Sequence, residues 1–144
     1  MVSSEDQDRS SEVEARASVA RILVYSDHVQ TRSAVRGAIG HSLGPDLPTV
    51  EWHEAATLSA ALDAVRAGGL DLLVLDGEAG KAGGMGLARQ VKDEIYDAPP
   101  VLLLIARPAD AWLASWSEAE KVVAQPIDPF ELAETVAGML RVSA

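Results

Sequence analysis

Apolar residues in this chain come in short runs that end at polar turns. Between the runs, apolar positions recur three or four apart. The sharpest run, Leu72 to Leu75, stops at the carboxylate of Asp76, and a glycine-rich turn from Gly77 to Gly84 follows. A run so short and so rich in β-formers predicts a strand buried on both faces. Arg21 to Tyr25 and Val101 to Ile105 predict two more of that kind, and Val122-Val123-Ala124 a shorter fifth strand. Thr49 to His53 alternates apolar and polar, as a half-exposed edge strand does.

The intervening stretches carry the helical period. Val35, Ala38 and Ile39 share a face that closes near Gly40 or Gly44, and Pro45 and Pro48 bracket the next turn. Leu58, Ala61, Leu62 and Val65 follow the i, i+3, i+4, i+7 rule, and Gly68-Gly69 ends that helix. Leu87, Val91 and Ile95 mark a third helix, stopped by Pro99-Pro100. A short helix is expected from Ala109 to Glu118. Asp128-Pro129-Phe130-Glu131 is a helix start: an N-cap acid, proline in the first position and glutamate three residues on. Leu132, Val136, Met139 and Leu140 supply the last helix's buried face. Five strands alternating with five helices, joined by right-handed crossovers, predict an α/β protein: a doubly wound five-stranded parallel sheet with helices on both faces. Residues 1–18 are rich in Ser, Glu and Asp and cannot bury enough surface to offset their ordering entropy. They read as a disordered acidic tail before a domain spanning 19–144.

In such sheets, ligands sit beyond the carboxyl ends of the strands. Asp27 and Asp76 follow the first and third strands, so both would converge on one crevice if those strands are neighbours. Asp76 also reads as an ordinary polar residue opening a turn. Two hard oxygen ligands suit Mg²⁺, which accepts one or two carboxylates plus a phosphate. Metal-assisted phosphoryl transfer to Asp76 is the chemistry that pair would serve.

Composition narrows the picture. A chain of 144 residues is one domain with a proper core. A net charge of −10 argues against nucleic acid or an anionic membrane surface as partner. The chain has no cysteines, which excludes disulfides and thiolate zinc sites. The longest apolar run, Val101 to Ala106, is too short to span a bilayer, and acids near the N-terminus argue against a signal peptide. The expected location is the cytoplasm.

From Arg21 to Leu140 the sequence resembles the receiver domain of bacterial response regulators, the switch of two-component phosphorelay signalling. The acid after the first strand, the aspartate ending the third, Gly83-Gly84 opening the third helix and the X-Pro after the fifth strand carry the resemblance. It implies strand order 2-1-3-4-5 and a cis peptide at Gln125-Pro126. It also implies Asp76 as phosphoacceptor, and a metal set of Asp27, Asp76 and the backbone carbonyl of Glu78. Several positions depart from the pattern. Ser26 replaces a second metal-binding acid, Ile105 a hydroxyl that would bond the phosphoryl group, and Gln125 a lysine that would neutralise it. Val122 replaces an aromatic, and Gly80 a proline. A lost electrostatic donor of this kind is commonly worth ~3–4 kcal/mol, a hundredfold or more in rate. Lys81 or Arg107 could swing in as a substitute cation, and Glu78 could serve in place of the acid missing at Ser26.

Trp112 and Trp116, four apart, share one face of the short fourth helix. That face reads either as core or as a partner surface, with Leu113 an alternative source of burial and Trp116 the better core residue of the two. Trp52 is expected to pack on a helix and His28 to face solvent. Asp110 to Ser117, with Asp76-Gly77-Glu78 and Gly83 to Gly86, resembles a branch of stand-alone actinobacterial receivers whose genes neighbour those of proton-pumping NADH:quinone oxidoreductase. This resemblance implies a respiratory-complex subunit as partner. The leading expectation is a non-enzymatic, phosphorylation-independent receiver acting by protein contact. The alternatives are a switch phosphorylated by a sensor kinase and a small-ligand sensor in the crevice.

Overall fold

The computed structural model describes residues 19–79 and 83–143. The expected tail (1–18), Gly80 and Lys81 lie outside the described residues. The chain forms β1 (Val19–Tyr25), α1 (Val29–Ile39), β2 (Thr49–Ala55), α2 (Leu58–Ala67), β3 (Leu72–Asp76) and α3 (Gly83–Glu94). It continues through β4 (Val101–Ile105), a 3₁₀ turn (Pro108–Ala111), α4 (Trp112–Ser117), β5 (Lys121–Ala124) and α5 (Pro129–Ser143). The five strands make one sheet in the order β2-β1-β3-β4-β5, every pair parallel. Both the strand order and the cis Gln125-Pro126 peptide match what the resemblance implied.

Strand alternation divides the core into two layers. Ile22, Val24, Leu72, Val74, Leu102 and Leu104 face α1 and α5, where Val35, Ile39, Leu132 and Val136 meet them. Leu23, Tyr25, Leu73, Leu75, Leu103 and Ile105 face the other side, against Ala61 and Val65 of α2 and Leu87 and Val91 of α3. All five residues of β3 and of β4 are buried, the consequence of helices on both faces. Fully burying each Leu or Val there stabilises the fold by about 1.5–3 kcal/mol before entropy is subtracted.

The ends of the elements follow their local chemistry. Thr57 caps α2 by accepting from the Ala60 amide at 3.1 Å. Asp128 Oδ1 accepts from the amides of Phe130 at 2.9 Å and Glu131 at 3.4 Å. Some boundaries moved. β1 begins two residues before Arg21 and β2 runs two beyond His53, because pairing in register from Val19↔Thr49 to Tyr25↔Ala55 extends both. The expected helix from Ala109 to Glu118 is instead a 3₁₀ turn leading into a six-residue α-helix.

Replacing Asp128 by Ala leaves two amides of the first turn of α5 without their acceptor. It should lower the unfolding free energy in urea by roughly 0.5–2 kcal/mol with an unchanged m-value.

Candidate functional site

The register that puts β1 beside β3 pairs Tyr25 with Leu75. The next residue on each strand, Ser26 and Asp76, therefore meets the other at the same edge of the sheet. Asp76 is 1% exposed and Ser26 fully buried. Ser26 Oγ donates to Asp76 Oδ2 at 2.8 Å. The other oxygen, Oδ1, accepts from the Glu78 amide at 2.9 Å and from Gln125 Nε2 at 3.2 Å. Three neutral donors thus hold the carboxylate, each such bond to a charged group worth about 1.5–3 kcal/mol.

Close backbone packing locks the floor of this pocket. The Gly77 amide donates to Leu104 O at 2.8 Å, and the Ala79 amide to Asp76 O at 3.1 Å. A Cβ on Gly84 would lie 2.5 Å from Asp76 O, so only glycine lets the start of α3 approach the end of β3. Gly83 adopts φ +66°, a left-handed conformation that favours the same residue.

The positions singled out from the sequence take distinct places. Ser26, Asp76 and Gln125 come together as one hydrogen-bonded cluster. Ile105 is buried at the end of β4, where its carbonyl accepts from the Gln125 amide at 2.8 Å. Val122 is half-buried and packs on the α3 side of the core. Asp27 and His28 stand at the rim, with His28 Nε2 3.6 Å from Asp27 Oδ1, and the Glu78 side chain is exposed. Arg107 is turned outward onto Asp110, Nη2 to Oδ1 at 3.3 Å, rather than into the pocket.

Magnesium is the ion that the resemblance implies, with Asp27, Asp76 and the Glu78 backbone carbonyl as the residues that would hold it. Both oxygens of Asp76 accept hydrogen bonds from neutral donors, Ser26 rather than an acid precedes Asp27, and among the described residues no group of three or more His, Asp or Glu side chains gathers, so a metal there would rest on two carboxylates and a backbone carbonyl.

Trp112 and Trp116 both lie at the surface, 66% and 48% exposed, so the core reading of Trp116 does not hold. Arg89 of α3 covers Trp116 instead, 5.3 Å from the ring centroid, and its Nη1 donates to Trp116 O at 2.7 Å. The side chain of Leu113 lies outside the described residues. Trp52 is half-buried against the α1 layer and donates from Nε1 to Gly40 O at 3.0 Å, and His28 faces solvent.

Sequence reasoning missed Arg32. Its side chain is only 15% exposed; Nη1 donates to Ser26 O at 2.6 Å, and Nε pairs with Glu54 at 3.1 Å. Arg36, one turn on, binds the other Glu54 oxygen at 2.8 Å. The i, i+4 spacing of the two arginines was the available signal, but only the placement of β2 beside β1 brings Glu54 to them.

No family model matches the chain. Over 124 residues it is 52% identical to an uncharacterized response regulatory protein of Mycobacterium tuberculosis, in strains CDC 1551 and H37Rv alike. The match covers 86% of this chain and 93% of that protein. A Francisella response regulator receiver domain superposes with a TM-score of 0.74 at 16% identity, covering 87% of this chain and 99% of that one. A Thermotoga maritima response regulator, solved in complex with Mg²⁺-BeF, gives 0.69 at 26% identity over 84% of this chain and 99% of that one.

Tyr25 ends β1 beneath this pocket, and its phenol is pushed above the ordinary value of 10.0 by burial first and then by the charges of Asp27 and Asp76. Below that value the phenol is neutral in both folded and unfolded chains and costs nothing. As pH rises past it, the unfolded chain releases the proton first, so the folded protein binds more protons and stability falls. The loss is expected to begin near pH 10.0 and to flatten in Tyr25→Phe. Urea unfolding of both proteins across that range measures it.

Proposed function

The chain belongs to the response-regulator receiver family, and we propose that within it this protein is a protein-binding module that works without phosphorylation of Asp76. The observation supporting this reading is the state of the Asp76 carboxylate. It is buried, and both of its oxygens accept hydrogen bonds from neutral groups: Ser26 Oγ on one, the Glu78 amide and Gln125 Nε2 on the other. A nucleophile in that position must give up hydrogen bonds to attack, and the dianion it would form meets a neutral amide where charge neutralisation is needed. Ile105 offers no hydroxyl to report the event. The cluster instead works as a structural clamp between β1, β3 and β5.

The contact surface in this proposal is the face of α4 carrying Trp112 and Trp116. Exposed tryptophans are enriched among residues that dominate binding energy, and Arg89 holds the Trp116 ring in place. The partner is a protein in the cytoplasm, not a nucleic acid, which an acidic chain would repel. The resemblance to stand-alone actinobacterial receivers supports a subunit of a respiratory NADH:quinone oxidoreductase as that partner. No described helix is long and apolar enough to cross a membrane.

Backbone-amide NMR of the folded protein, titrated with Mg²⁺ and then with beryllofluoride, tests the clamp. The expected spectrum is unresponsive around Asp27, Asp76 and Glu78. Saturable shifts that spread to α4 would overturn the reading in favour of a phosphorylated switch. In partner binding, Trp112→Ala should weaken affinity by about 30-fold, the ~2 kcal/mol of a hot-spot residue, while Asp76→Asn should leave it unchanged. Undiminished binding by Trp112→Ala would remove α4 from the interface.

A further inference from the structure

A second concavity, of about 470 Å³, lies between α1 and the edge of the sheet at β2. Arg32, Arg36 and His41 line it against a single acid, Glu54, in a chain whose net charge is −10. Its helical wall is bare: a Cβ on Gly37 or on Gly40 would meet nothing within 4 Å. The half-buried Trp52 forms part of the opposite wall and bonds Gly40 O. Arg36 is 44% exposed and gives one nitrogen, Nη1, to Glu54. A guanidinium has five donors in a planar fork, so its remaining edge can take a second carboxylate. β2 is an outer strand of the sheet; His41 and Ser42 bridge its outer side at Val50 and Thr49, and the stretch beyond them is a place for an extended segment to lie.

The chain supplies such a segment next to this groove. β1 starts at Val19 in register with Thr49, and the amide of the following residue, Val50, donates to His41 O at 2.8 Å. Val19, the first described residue, therefore stands near the lower lip of the groove. The residues before it hold five acids, Glu5, Asp6, Asp8, Glu12 and Glu14, against two arginines. An extended chain advances about 3.3–3.6 Å per residue and a helix about 1.5 Å. The seven residues from Glu12 to Ser18 thus outreach the helical span from His41 back to Arg32.

We propose that the acidic N-terminal segment of this chain docks in the α1–β2 groove, with Glu12 and Glu14 presenting carboxylates to Arg36. The groove shares Arg32 with the Asp76 pocket, because that side chain holds both Glu54 and the Ser26 carbonyl. Docking therefore adds a charge next to the element that positions Ser26.

The chain has no cysteines, so Ser10→Cys gives one attachment point for a nitroxide on the full-length protein. The expected result is selective broadening of the Gly37 and Gly40 amides and of the Trp52 indole N–H, with the indoles of Trp112 and Trp116 spared. Arg36→Glu should remove most of that broadening. Glu12→Gln with Glu14→Gln should do the same without touching the domain's packing, which keeps the test valid if Arg36→Glu fails to fold. Broadening spread evenly over the surface, or unchanged in the Glu12/Glu14 variant, overturns the proposal. So does broadening seen only when labelled chain is mixed with isotopically enriched, unlabelled chain, since the occupant would then be a second copy.

Discussion

A carboxylate buried at the end of a strand must find donors within the protein, and in this structure that requirement falls on Asp76. Isolated charges are too costly to leave unpaired away from water. The three donors come from three separate places: Ser26 after β1, the Glu78 amide two residues on, and Gln125 after β5. Satisfying one side chain therefore fixes the relative positions of three strands at their carboxyl ends. The same point explains the glycines. The backbone around Asp76 is packed so closely by Gly77 and Gly84 that side chains at those positions would collide with carbonyl oxygens.

The choice of donors underlies the proposed function. A cationic partner would leave the pocket ready to accept further negative charge, whereas a serine hydroxyl and a glutamine amide satisfy the one charge present. The receiver topology is retained, and in the proposed function the neutral hydrogen bonds on Asp76 stand in place of electrostatics that would favour a phosphoryl group. Binding capacity is then expected on the outside of the molecule. The tryptophans of α4 and the arginines of α1 lie on opposite flanks of the sheet, one offering apolar and aromatic surface and the other positive charge in an acidic protein.

Most of the fold was legible in the chain because its signals are local. A continuous apolar run such as Val101 to Ile105 requires burial on both faces, and Asp128-Pro129-Phe130-Glu131 starts a helix by satisfying its own amides. Less local features were read less well. Trp116 shares the spacing of a core residue, yet it lies at the surface, where Arg89 reaches over it from α3. The ends of β1 and β2 moved because each strand is extended by its neighbour, a property that neither sequence segment carries alone.

The sequence by itself determined the elements, their parallel arrangement, and the residue types available at the strand ends: an aspartate, a serine, a glutamine and an isoleucine. These follow from period, capping and composition, which act over a few residues. Only the tertiary structure decided that Ser26 and Gln125 turn inward to donate to Asp76, that Arg107 turns away to Asp110, and that Arg32 ties Glu54 to the Ser26 carbonyl. Apart from the Arg107 pair and the Arg32–Ser26 bond, each of those bonds joins residues more than twenty apart in the chain. Their existence depends on strand order and register, and on which of several nearby partners lies within hydrogen-bonding distance once the core has closed.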